Sequence, residues 1–285
     1  MEKIGVFIIV IIGLTFGSCQ SEKSTSNSES KYFTDSIYSN HLREYRKHNI
    51  YMPKGFSKDK KYPIIFATDG NNITENNFYK RTLDSLIDNK AITPLLLIES
   101  FSNPKIADSS YTDENRDKFY LDYRYFEYVE NEYHRNPELS ARFKNHLNYF
   151  HDELIPTVED ELNQNPSKND RYFFGVSNGA GFGMSLFNKK PNTIGTYLCF
   201  SIFGGRIQSK IWYENVEYPS LYLEYGSEEP LFLKEDADYL RSKFKELGLH
   251  VFINEYTGGH DYSIWNQKFI EIIVELFGNK KHSKH

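Results

Sequence analysis

Gly175-Val176-Ser177-Asn178-Gly179 constrains this chain more than any other stretch, because of what flanks it. The apolar run Tyr172-Phe173-Phe174 leads in and reads as a strand. Gly179-Ala180-Gly181 leads out and opens a helical segment to about Asn188. A serine on so sharp a strand-to-helix turn is held in a strained backbone conformation, which small neighbours permit and which lifts its hydroxyl above the sheet. The helix start then aims free N–H groups and a positive dipole end at charge developing beside that hydroxyl. Any Gly-Ser turn can mimic a bare G-x-S-x-G; the strand before and the helix after give this one its meaning.

The rest of the chain supplies the sheet such a turn requires. Glu44–Met52, Tyr62–Thr68, Thr93–Glu99, Arg171–Val176, Tyr197–Phe203, Ser220–Tyr225 and Val251–Tyr256 read as strands. Leu83–Asn89, Arg142–Leu162, Asp236–Leu247 and Ser263–Leu276 read as helices, with a kink or a restart expected at Pro156. Strands separated by helices imply an α/β fold with a mostly parallel central sheet covered by helices on both faces. The polar, aromatic-rich stretch 111–137, which holds Arg116 and Arg124, fits no element and reads as a long active-site loop shaping a substrate pocket; the same residues can equally serve structure.

A serine at neutral pH needs a base. Two histidines follow Ser177 before the C-terminal tail, His250 and His260. His250 opens a strand, whereas His260 lies in the loop Thr257-Gly258-Gly259-His260-Asp261, from which a ring can reach back over the sheet edge. An acid that orients it belongs at the end of the preceding strand, where Gly226-Ser227-Glu228-Glu229-Pro230 offers two carboxylates. Glu229 is preferred, with Glu228 open. The N–H of Asn178 is one candidate oxyanion donor. The loop Asp69-Gly70-Asn71 offers a second at Asn71, although an ordinary Asp-Gly turn explains the same residues.

Taken together, the Asp69-Gly70 strand end, the 175–179 pentapeptide, the Gly-Ser-Glu-Glu turn and the Gly-Gly-His segment followed by Trp265 resemble the putative-esterase family of α/β-hydrolases. That family includes siderophore esterases, S-formylglutathione hydrolases, feruloyl and acetyl-xylan esterases and mycolyltransferases. The resemblance covers residues 40–278. It implies an α/β-hydrolase fold, a catalytic serine at Ser177, a histidine at His260, an oxyanion N–H at Asn71 and no cofactor. It further implies ester hydrolysis through an acyl-enzyme, on a siderophore or carbohydrate ester. The family acid is usually Asp, so a Glu at 229 is a departure.

The N-terminus reads as a targeting segment. Lys3, the apolar run Val6–Leu14 and the small Gly17-Ser18 before Cys19 form a signal peptide resembling a bacterial lipobox, with Phe16 where Leu is commoner. Expected boundaries are a leader at 1–18, a Ser-rich tether at 19–32, one esterase domain at 33–278 and a basic tail at 279–285. Cys19 then carries a lipid, and the domain sits in the bacterial cell envelope, anchored to a membrane and facing periplasm or exterior. Cys199, in an apolar run, reads as a small buried hydrophobe, so no disulfide is expected. A formal net charge of -5 gives no general attraction to nucleic acid. His146 and His151 are spaced wrongly for one helix face and no H-E-x-x-H is present, so no metal centre is expected; nor does a G-x-G-x-x-G open a helix for a dinucleotide. Oligomeric state leaves no signature in the sequence. Two other readings stand beside the esterase: a lipid-anchored binding protein that keeps the fold without turnover, which a fluorophosphonate would not label, and an acyltransferase, which product analysis with an alcohol acceptor would reveal.

Overall fold

The computed structural model describes residues 29–71, 77–112, 114, 116–130 and 134–279. Cys19, the leader, most of the tether and the tail from residue 280 lie outside the described residues. Ten strands are described: β1 Lys31–Ser39, β2 Glu44–Met52, β3 Ile64–Ala67, β4 Leu96–Ser100, β5 Ile106–Thr112, β6 Lys118–Asp122, β7 Arg171–Val176, β8 Thr196–Phe200, β9 Ser220–Gly226 and β10 Val251–Tyr256. The helices are α1 Phe78–Asp88, α2 Tyr123–Tyr128, α3 Pro137–Asn148, α4 Ile155–Glu161, α5 Asn178–Lys189, α6 Leu231–Glu246 and α7 Tyr262–Phe277.

Eight strands form one sheet in the order β1-β2-β4-β3-β7-β8-β9-β10. From β4 to β10 every neighbouring pair is parallel, while β1 and β2 run antiparallel at one side. Side chains alternate between two apolar cores. Ile64, Phe66, Phe173, Tyr197 and Cys199 face one, closed by Val158, Phe182 and Leu240. Ile65, Ala67, Phe174, Leu198 and Phe200 face the other, closed by Leu83, Phe269 and Ile273. Period-two burial on both faces is what a helix-covered parallel sheet demands. The α/β-hydrolase-type fold expected from the sequence is therefore the fold observed.

The strand order also positions the site. After β3 the chain steps outward to β4; after β7 it steps the opposite way to β8. Loops leaving the carboxyl ends of adjacent β3 and β7 thus diverge, opening the crevice that such a switch point creates. The loop after β3 holds Asp69–Asn71, and the turn after β7 holds Ser177.

Two local features differ from the sequence expectation, and a third meets it in a particular form. Strand β1 begins at Lys31, inside the stretch read as tether; it is a mostly exposed edge strand with no apolar alternation to betray it. The stretch 111–137 is not one long loop. It contains the end of the separate β5–β6 hairpin, followed by α2. The kink at Pro156 takes the form of a π-helical turn over Tyr149–Leu154, from which α4 restarts with the proline in its first turn. A proline cannot donate to the carbonyl four residues back, and widening the preceding turn accommodates it.

Helix α2 is short but firmly held. Glu127 has a fully buried side chain and accepts from Arg46 Nη1 and Nη2 at 2.8 and 2.9 Å and from Arg142 Nε and Nη2 at 3.0 and 2.7 Å. These bonds tie α2 to β2 and α3. An unpaired buried carboxylate would be strongly destabilising, so the arginines and Glu127 stand or fall together.

Candidate active site

Ser177 has φ 55° and ψ −127°, a conformation L residues rarely adopt. Its N–H donates to Phe200 O at 2.9 Å, and its carbonyl accepts from Gly181 and Phe203 N–H at 3.1 Å each, so the strain is held by three backbone bonds. Both motif glycines are required by close approach. A Cβ on Gly175 would lie 2.7 Å from the Gly179 carbonyl oxygen, and one on Gly179 would lie 2.2 Å from Thr68 Oγ1. Only with both side chains absent can β7 turn into α5 so tightly against the end of β3.

On the β9–β10 side, His260 Nδ1 is 2.5 Å from Glu229 Oε1. The Glu229 side chain is 1% exposed and the His260 side chain 38%. The second Glu229 oxygen accepts from Gly226 N–H and Ser201 Oγ, each at 2.7 Å. Burial alone would raise this carboxyl; the bonds from His260, Gly226 and Ser201 outweigh it and hold the group below the ordinary glutamate range. Behind them, Trp265 Nε1 donates to Ser201 Oγ at 3.0 Å and Tyr256 Oη at 2.9 Å. Glu228, the open alternative, contacts the neighbouring loop through its backbone N–H, which donates to Gly258 O at 2.9 Å.

With Nδ1 committed to Glu229, the lone pair of His260 is left on Nε2. The ring packs edge-on against Phe203 at 4.8 Å and Trp265 at 4.5 Å. Phe203 is the same residue whose N–H holds the Ser177 carbonyl, so it joins the histidine loop to the serine turn. No hydrogen bond links the Ser177 hydroxyl to His260 among the described residues. In ligand-free sites such bonds are commonly long and tighten when substrate binds.

On the β3–β4 side, Asp69 rather than Gly70 is the left-handed residue of the turn, with φ 61°. Gly70 is needed for approach instead, since a Cβ there would lie 2.4 Å from the Glu99 carbonyl oxygen. Asn71 Oδ1 accepts from Ser102 N–H and Oγ at 2.8 Å each, which fixes the loop that carries the candidate donor. Asp69 pairs with Arg124 through two bonds, Nε–Oδ1 at 2.6 Å and Nη2–Oδ2 at 2.8 Å. The same guanidinium donates from Nη1 to Asn178 Oδ1 at 3.2 Å.

A cavity of about 210 Å³ beside this loop is lined by Tyr32, Asn49, Gly70, Asn71, Tyr79 and Glu99, among others. Its carboxylate, Glu99, accepts from Tyr32 Oη at 2.7 Å. Burial pushes Glu99 up to about 7, against which Tyr32 and Asn49 pull only partway back. A larger cavity of about 620 Å³, under Tyr123 and Arg142, has none of Ser177, Glu229 or His260 in its lining.

Sequence reading singled out Ser177, Asn178, Glu229, His260 and Asn71; Asn178 opens α5 and the other four lie in loops or turns, all at the carboxyl edge of the parallel strands. It missed Ser201 and Tyr256 as partners of Glu229, and the pairing of Arg124 with Asp69. Ser201 carries one local oddity, φ 49° at the end of β8, but no pattern in the residues announces it.

Comparison with known proteins adds the following. A family model described as Putative esterase matches residues 39–276. Among solved structures, a ferulic acid esterase matches with TM-score 0.67 at 15% identity, over 88% of this chain and 98% of that one. An IroE-like serine hydrolase from Shewanella oneidensis matches with TM-score 0.64 at 16% identity, over 87% and 80%. The enterobactin esterase FES from Shigella flexneri, in the presence of enterobactin, matches with TM-score 0.65 at 16% identity, over 86% and 59%. At these identities the structural likeness is one of fold.

Proposed function

We propose, from the premise that this chain belongs to the putative esterase family and is a serine esterase acting on carboxylic esters, that Ser177, His260 and Glu229 perform the reaction. Ser177 Oγ attacks the ester carbonyl as His260 Nε2 takes its proton, and the alcohol leaves as that proton is returned to it. The acyl group then rests on Ser177. His260 next takes a proton from a water that attacks the acyl-enzyme; the acyl–Oγ bond breaks as His260 returns that proton to Ser177 Oγ, and the acid is released. Glu229 keeps the proton of His260 on Nδ1 and offsets the imidazolium charge. The N–H groups of Asn178 and Asn71 are the proposed donors to the oxyanion.

The observation that carries this reading is the 2.5 Å contact from Glu229 to His260 Nδ1, which leaves Nε2 free on a ring that packs against the residue bracing Ser177. A fluorophosphonate should label the wild-type protein at Ser177. Ser177→Ala should abolish labelling and lower turnover of a p-nitrophenyl ester by about 10³-fold or more. Near-full activity in that variant would sink the assignment.

The substrate is proposed to be a siderophore or carbohydrate ester, a choice supported by the ferulic acid and enterobactin esterases among the neighbours. Hydrolysis rates across feruloylated and acetylated xylan and a trilactone siderophore test it; cleavage of simple alkyl esters alone would count against both. We further propose that Cys19 carries a lipid and tethers the domain to the cell envelope. Cys19→Ser should then move the protein from the membrane to the soluble fraction, and unchanged fractionation would refute the anchor.

A further inference from the structure

Arg124 stands where the two arms of the proposed oxyanion hole meet. One arm is the loop after β3, with Asp69 two residues before Asn71. The other is the start of α5, with Asn178 next to Ser177. The Arg124 guanidinium holds Asp69 through a two-bond ion pair at 2.6 and 2.8 Å and Asn178 Oδ1 at 3.2 Å. Three of its five N–H groups are thus used on the two arms, and its side chain is 21% exposed. It is fixed from behind as well. Its guanidinium lies over the Tyr128 ring at 5.0 Å, and Tyr128 Oη accepts the Asp69 N–H at 3.3 Å. Its backbone N–H donates to Asn103 O at 2.8 Å, in the loop whose Ser102 holds the Asn71 side chain. Helix α2 itself is anchored three residues on by Glu127.

We infer that Arg124 is a positioning residue that clamps the Asn71 and Asn178 segments at a fixed separation, so that the helix following the β5–β6 hairpin completes the oxyanion hole rather than merely walling a pocket. The inference rests on the reading of those two N–H groups as oxyanion donors. Its physical basis is that oxyanion stabilisation depends on donors already in place when charge develops; a donor free to drift loses most of its worth. Only a planar fork can satisfy both acceptors of Asp69 and still reach Asn178. A lysine supplies charge at one point.

The test is kinetic, on the full chain, with p-nitrophenyl acetate as substrate and an alkylboronic acid as tetrahedral-adduct mimic. Arg124→Ala should lower kcat by about 10- to 100-fold with KM changed less than about threefold, and weaken boronate inhibition in proportion. Arg124→Lys keeps the ion pair with Asp69 and guards against a variant that does not fold. It should recover the melting temperature but less than about tenfold of the lost kcat. In an Asn178→Ala background the Arg124→Ala change should cost clearly less than it does alone, since one arm of the clamp is already gone. A folded Arg124 variant with kcat and boronate affinity within about twofold of wild type would overturn the clamp, as would a rise in KM alone, which marks a substrate-binding group. Ser177→Ala, measured in parallel, separates the two failures: if it is inactive while Arg124→Ala is unaffected, only the clamp falls; if it is active, the site reading falls with it.

Discussion

Two glutamates sit at the carboxyl edge of the sheet on opposite sides of Ser177, and they are held in opposite states. Glu229, after β9, is buried among donors from His260, Gly226, Ser201 and Tyr256 and is held ionised. Glu99, near the end of β4, is buried with only the neutral side chains of Tyr32 and Asn49 to offset that burial, and is pushed up to about 7. Burial acts on both in the same direction; the number and kind of donors decides which side wins. An orienting acid must stay charged as the imidazolium forms, and only the β9 side is built for that.

Substitutions can break or sharpen this contrast. The largest effect is expected from Glu229→Gln. Both glutamate oxygens accept hydrogen bonds, but a glutamine has one acceptor. Gly226 N–H demands it at the inner position, so the amide NH₂ turns toward His260 and favours the tautomer with its proton on Nε2. Turnover should fall by about 10²-fold or more, measured as kcat on a p-nitrophenyl ester; a loss under about fivefold would make Glu229 dispensable. Trp265→Phe should act more weakly. It preserves the ring beside His260 but removes the donor to Ser201 and Tyr256, with an expected fall in kcat of about three- to tenfold.

The smallest catalytic effect is expected at Glu99→Gln, where kcat should change less than about threefold. Its signature is in stability. Folding raises the Glu99 pKa, so the native state holds a proton that the unfolded chain releases. Wild-type stability therefore falls as pH rises from the ordinary glutamate value of 4.5 towards about 7. Glutamine removes that dependence. Calorimetry should find the variant gaining on wild type by roughly 1–3 kcal/mol between pH 4 and pH 8. A gap independent of pH would show that Glu99 is charged throughout, like its counterpart.

Much of this architecture was legible in the residues. Ser177 announced itself because a strained turn needs glycine on both sides, and the structure shows the backbone contacts that enforce it. His260 and Glu229 could be singled out because parallel strands deliver their following loops to one edge. Less was visible where the cause is not local. Strand β1 pairs along its whole length with β2, yet its outer face is wet and carries no periodic signal. Arg124 and Asp69 are 55 residues apart, and nothing in either neighbourhood requires the other. The same holds for Ser201 and Glu229, brought together only when β8 and β9 align. The stretch 111–137 misled because β6, outside the main sheet, has no buried residue to impose alternation.

Where β1 begins also sets the side from which the chain enters the sheet. Lys31 pairs with Met52, and neighbouring Tyr51 pairs with Leu97 near the start of β4. The chain therefore joins the sheet on its underside, across the full strand length from Ser177. Were Cys19 embedded in a bilayer, the twelve residues up to Lys31 would reach at most roughly 40 Å and attach beneath the domain. Held that way, the enzyme would turn its mouth outward, meeting esters that diffuse in from the surrounding fluid instead of those lying in the lipid leaflet below.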